Sequence, residues 1–115
     1  MKDLNNICLI GRLALDADIK GISDELYVVN LLLTCSNGKD KNGEWKPSDL
    51  LKACCFVKNP EIFSNLFLKG CTISLSGRLH IERVETANGK KEYHKIMCES
   101  NNIKIVKHNQ PQEAI

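Results

Sequence analysis

Two kinds of side chain in this sequence can act together on a ligand: cations, and flat rings placed beside them. The stretch "GKDKNGEWK" sets Lys39, Lys41 and Lys46 around Trp45, the chain's only tryptophan, on a loop marked by Asn-Gly pairs. In "LKACCFVK" the residues Lys52, Phe56 and Lys58 fall at even spacing, so an extended strand would present all three on one face. Their neighbours Cys55 and Val57 would face the core. Arg78 and His80 alternate in the same way, and Lys90 and Lys91 follow a further Asn-Gly pair. Arg12, Lys69 and Arg83 complete the candidate set. Cations attract an anion and rings stack on rings, so the ligand implied is flat and negatively charged. Acids dilute the pattern at Asp40, Glu44, Glu82, Glu85 and Glu92. Trp45 has two readings: ligand contact, or a cover over the hairpin or a subunit interface. Tyr27 and Tyr93 read as strand packing.

Other chemistry finds little support. No Ser-His-Asp order, glycine-rich phosphate loop or metal-ligand spacing is present, so neither an enzyme nor a cofactor or metal site is expected. The cysteines stand at 8, 35, 54, 55, 71 and 98, with no C-x-x-C, and three histidines are scattered. Most lie in apolar runs such as "ICLIG" and "KACCFV", which reads as buried, reduced thiols in a cytoplasmic protein. No secretory or membrane-spanning segment is expected. The formal charge of +2 supplies no strong overall field, so anion binding must come from local clusters.

The elements that would position these residues are mostly strands. A chain of 115 residues with 43% apolar content suits one domain. "NNICLIGRLAL" reads as a first strand in which Gly11 marks a bend. "KGISDE" reads as a polar turn, "ELYVVNLLLTC" as a second strand and "SDLLKACCFV" as a third. In "NPEIFSNLFLKG", Asn59 as N-cap, Pro60 in the first turn and Gly70 as stop predict a helix of about ten residues, with Ile62, Phe63, Leu66 and Phe67 on its apolar face. "CTISLSGRLHIERV" alternates as a fourth strand, and an Asn-Gly turn at 88–89 leads to a fifth, which "NIKIVKH" continues or follows. Three strands, a helix and two strands make the order of an all-β OB-fold, a five-stranded, partly open Greek-key barrel with its helix between strands three and four. A meander with one helix is the alternative. The domain is placed at 1–107, with a disordered polar tail at 108–115.

At this point the residues resemble a known family. "ICLIGRLALDADI", "KDKNGEWK", "CCFVKNPEIFSNLFLKG" and "ISLSGRLHIERVETANGKKEY" look, in order and spacing over residues 4–106, like the DNA-binding domain of bacterial single-stranded DNA-binding proteins. The resemblance implies an OB-fold, a homo-oligomer (usually a tetramer), no catalysis, and sequence-tolerant binding of single-stranded DNA in replication, recombination or repair. Three departures stand out. The family's stacking tryptophans correspond here to Gly38, Leu50 and Val84, and only the strand-three ring is kept, as Phe56. Trp45 lies a few residues past the usual hairpin position. The chain ends "NQPQEAI", where the family carries an acidic tail that binds protein partners.

Two functions follow. One is a single-stranded DNA-binding protein that protects exposed strands, with replication or recombination proteins as further partners. The other is an adaptor similar to the primosomal replication protein N family, working through protein partners with weak DNA binding. The lost rings and the missing acidic tail favour the adaptor; the lysine-rich hairpin and the closer register favour the first.

Overall fold

Alternation sorts the apolar residues onto one side of each strand, and a sheet with one apolar side must curl or pair to bury it. The computed structural model describes residues 3–108, so the tail expected at 108–115 lies, but for His108, outside the described residues. It contains β1 (Ile7–Leu13), β2 (Asp18–Ser23), β3 (Leu26–Cys35), β4 (Asp49–Val57), α1 (Glu61–Leu66), β5 (Thr72–Thr86) and β6 (Gly89–Lys107). The sheet runs β1-β5-β6-β4-β3-β2, and β1 pairs a second time, with β3. That pairing, Arg12 with Thr34 and Leu13 with Leu33, closes the sheet on itself. β4 and β6 meet in parallel at Ala53–Ile96 and Cys54–Met97. Inside lie Leu13, Val29, Leu31, Leu33, Ala53, Cys55, Val57, Ile73, Leu75, Ile96 and Ile103. The expected OB-fold order is present, with the helix between the third and fourth of its long strands.

One strand escapes the sequence pattern. Residues read there as a turn form β2, and the turn shrinks to Asp24 and Glu25 between β2 and β3. β2 lies at the sheet edge. Ile19 is its only half-buried residue, so it lacks the alternation that marks the other strands. β6 carries "NIKIVKH" as a continuation. Its register against β5 jumps from Gly77–Cys98 to Leu75–Ile103, so residues 99–102 bow out of the ladder.

The helix is shorter than expected and turned differently. Phe63 and Phe67 are buried with ring centroids 4.6 Å apart, while Ile62 and Leu66 are exposed. An i, i+4 pair shares one face, and the larger rings take the inward one. Pro60 precedes the helix, and the Asn59 Oδ1 accepts from the Glu61 N–H at 3.1 Å. Gly70 turns the chain at φ 90°.

Gly11 and Gly77 are required by close approach. A Cβ on Gly77 would stand 2.4 Å from the Met97 carbonyl oxygen, and one on Gly11 2.8 Å from that of Thr34. Both sit where a strand presses on its neighbour as the barrel closes. Cys54, Cys55 and Cys71 are buried and Cys35 and Cys98 half-buried, but Cys8 is exposed; all six thiols are free.

Candidate nucleic-acid interface

Cross-strand partners in an antiparallel pair point the same way, so the register tells which side chains meet. On the outer side of β3 and β4 the partners are Leu32–Lys52, Asn30–Cys54 and Val28–Phe56. β2 extends the rows with Asp18 beside Asn30 and Lys20 beside Val28. On the outer side of β5 and β6 the partners are Arg78–Met97, His80–Lys95, Glu82–Tyr93 and Val84–Lys91. The parallel β4–β6 contact joins the two halves into one outward surface. Lys52, Phe56, Arg78, His80 and Lys91, predicted from sequence, lie on it together. Phe56 is 48% exposed while its neighbours Cys55 and Val57 are in the core, as alternation required.

Lys58 follows the end of β4 and borders a cleft with Phe56, Asn59, Ile62, Ser100 and Asn101, under the bow of β6. Arg12 is one strand further round the barrel, its register partners being Thr34 and Thr72. Lys39, Lys41, Trp45 and Lys46 stand on the β3–β4 connection. There Lys39 and Trp45 form an isolated bridge, and the Lys46 N–H donates to the Gly38 carbonyl at 2.9 Å. Asp40 builds the tip: its Oδ1 accepts from the Asn42 and Glu44 N–H groups at 2.8 and 3.0 Å. The Lys39 ammonium sits 5.0 Å from the Trp45 ring centroid, so one face of that ring already has a cation.

Three candidates are not brought to the surface. Arg83 and Lys90 point to the reverse side of the β5–β6 arm, because their parity is opposite to that of Glu82 and Lys91. Arg83 Nε also lies 3.6 Å from Glu92. Lys69 belongs to the loop after α1, where its backbone N–H donates to Asp16 Oδ1 at 2.7 Å. The hairpin turn is Ala87–Asn88, one residue earlier than predicted, with Gly89 closing it at φ 117°.

Four further residues on this surface lie outside the candidate set: Asp18, Lys20, Tyr93 and Lys95. Lys20 was hidden in the supposed turn. Tyr93 is 43% exposed and not packed away, with the Lys52 ammonium 5.8 Å from its ring centroid. Lys95 lies two residues beyond Tyr93 and binds Glu82 at 2.8 Å. The even spacing of Lys91, Tyr93 and Lys95 in "KKEYHK" was the available signal. Hydrogen bonding to Lys95, then its charge, holds the Glu82 carboxyl below its ordinary range, and the same hydrogen bond raises Lys95. Asp18 lies 3.7 Å from Lys20. The surface is therefore a mosaic of cations, two of them (Lys20 and Lys95) already facing a carboxylate, and half-exposed rings. It can hold a polyanion with flat groups, with part of its charge internally compensated.

Residues 4–105 match the model of the single-strand binding protein family. Among curated proteins, the chain is 29% identical over 91 residues to "Single-stranded DNA-binding protein 1" of Streptococcus pyogenes serotype M18, covering 78% of this chain and 69% of that protein. It is 26% identical over 99 residues to the single-stranded DNA-binding protein of Enterococcus faecalis, covering 84% and 52%. The chain thus spans between half and about two thirds of the length of these two relatives. Among solved structures it resembles the Plasmodium falciparum SSB complex with ssDNA, with TM-score 0.78 and 23% identity over 95% of this chain and 98% of the other. At that identity the likeness speaks for the OB-fold alone.

Proposed function

The chain belongs to the single-strand binding protein family, and on that footing we propose that it binds single-stranded DNA without regard to sequence and covers exposed strands during replication, recombination or repair. The observation that carries the reading is the outward surface of β4, β5 and β6, which unites Lys52, Phe56, Arg78, His80 and Lys91 from distant parts of the chain. Lys52, Arg78 and Lys91 neutralise phosphates, and Phe56 stacks a base. The lysines of the β3–β4 connection extend the phosphate track.

With Gly38, Leu50 and Val84 in place of rings, stacking contributes less and charge more. Binding is then steeply salt-dependent, since each neutralised phosphate of a single strand adds about −0.7 to the slope of log K against log salt. The protein is not an enzyme in this reading. The family match does not favour the adaptor alternative.

The functional unit is a homo-oligomer, a dimer or tetramer. β1 pairs with β5 along Ile7–Arg12 but meets β3 only at Arg12 and Leu13, so one edge of its first residues is open to a strand from a second copy. Among the described residues no helix is long and apolar enough to cross a membrane. Free thiols suit a reducing cytoplasm.

Titration of fluorescent oligo-dT at two salt concentrations tests the reading. Micromolar or tighter binding that weakens steeply with salt supports it. No binding at low salt overturns it and leaves the adaptor. Light scattering on the eluting protein gives the oligomer.

A further inference from the structure

Two clefts share a wall on the β5–β6 arm. One, of about 490 Å³, includes Asn30, Val84 and Lys95; the other, of about 350 Å³, includes Leu9, Leu50 and Leu79. Lys52, Tyr93, His94 and Lys95 line both. A tyrosine that served only to pack strands would be largely covered, yet this ring is 43% exposed. It stands between exposed Leu50 and Val84, one in each cleft, and Lys52 is 5.8 Å from its centroid.

The register partner of Tyr93 is Glu82, and Glu82 binds Lys95 Nζ at 2.8 Å. Ring, cation and carboxylate therefore occupy one cross-strand unit. Both groups carry their charge at neutral pH, as an ordinary carboxylate and ammonium do, and the contact moves the Glu82 pKa down and that of Lys95 up. A carboxylate oxygen on an ammonium has the charge and reach of a phosphate oxygen on the same group.

We propose that Tyr93 is the base platform of a nucleotide subsite whose phosphate-binding group is Lys95, and that Glu82 holds Lys95 in the place a phosphate takes. The inference rests on the single-stranded DNA reading above and adds to it a site and a competitor. Binding exchanges the Glu82 carboxylate for a backbone phosphate while a base settles on the ring. A bare phosphate must displace Glu82 with no stacking in return, and a neutral aromatic gains only the ring. A nucleotide chain supplies both, and the ring accepts any base because every base has a flat face.

The test compares variants in oligo-dT titrations across a salt series, with thermal melts to confirm folding. Tyr93→Ala is expected to weaken binding about five- to a hundredfold, and Tyr93→Phe to stay within about twofold. Glu82→Gln is expected to tighten binding about two- to fivefold with the salt slope little changed, because Lys95 meets a phosphate in both proteins but no longer has to leave a carboxylate, whereas Lys95→Gln should flatten the slope by about 0.7. Ultraviolet cross-linking of oligonucleotides carrying 5-iododeoxyuridine should mark Tyr93. Folded Tyr93→Ala that binds like the parent, folded Glu82→Gln that binds no tighter than the parent, or cross-links confined to Phe56 and Trp45 would each overturn the subsite. A parent chain that fails to bind oligo-dT overturns the wider reading instead, and the two failures are told apart by that control.

Discussion

Replacing Phe56 by alanine should separate binding from folding. The ring is 48% exposed on the outward side of β4. Fully burying a phenylalanine contributes about 1.5–3 kcal/mol, so half burial puts roughly 1 kcal/mol of stability at stake. That corresponds to a fall in melting temperature of about 4–8 °C. A stacked base contributes about 1–3 kcal/mol, so the Kd for oligo-dT should rise about 5- to 150-fold in protein that remains folded. Trp45 is the sharp comparison. It is 70% exposed, and Lys39 already lies 5.0 Å from its ring centroid. Its loss forfeits an exposed cation–π contact of about 0.5–1 kcal/mol and leaves the lysine free to meet phosphate. Trp45→Ala should therefore raise Kd by less than about fivefold. Fluorescence anisotropy on both variants at matched salt, with melts alongside, decides the order. A larger loss for Trp45→Ala would move the stacking site to the hairpin tip and refute the argument from the β4 surface.

Removing the charge of Arg78 should flatten the salt slope by about 0.7, whereas Arg83→Gln, on the reverse side and beside Glu92, should leave the slope unchanged in the same salt titration. Gly77→Ala drives a Cβ onto the Met97 carbonyl oxygen and should cost about 3 kcal/mol or more in urea unfolding; Gly38→Ala meets no neighbour, has only its φ of 79° to strain, and should cost about 1–2 kcal/mol. Burial pushes the Cys55 thiol from 9.0 to about 12 and Cys98 from 9.0 to about 11. Above pH 9 the unfolded chain releases thiol protons that the folded chain keeps, so these two residues make stability fall between pH 9 and about 12 and have no effect below. Urea melts at pH 8 and 10 should show the fall, and Cys55→Ala should reduce it. Under native conditions a thiol reagent should modify exposed Cys8 well before either.

Alternation was legible wherever one side of a strand is buried and the other wet. It placed Phe56 outside and Cys55 inside, and put Arg78 and His80 on one side of β5, because the period of a strand is set by local geometry alone. It failed at β2, whose edge position leaves both sides mostly exposed, and at the helix, where two i, i+4 pairs competed and only the volume of the core could choose Phe63 and Phe67 over Ile62 and Leu66. Glycines 11 and 77 could be marked as special from their strand context, but which carbonyl each admits depends on a strand from elsewhere in the chain.

Composition and spacing determined that this chain is a small β-domain carrying cations and a few rings on its strands and loops. Only tertiary structure decided which of those groups share a surface. A one-residue change of parity sends Lys91 and Lys90 to opposite sides of the arm, and parity is set by the hairpin turn. The pairing of Lys95 with Glu82, and of Lys52 with Tyr93, joins residues 13 and 41 positions apart. Such contacts arise from barrel closure and strand register, which local sequence does not encode residue by residue.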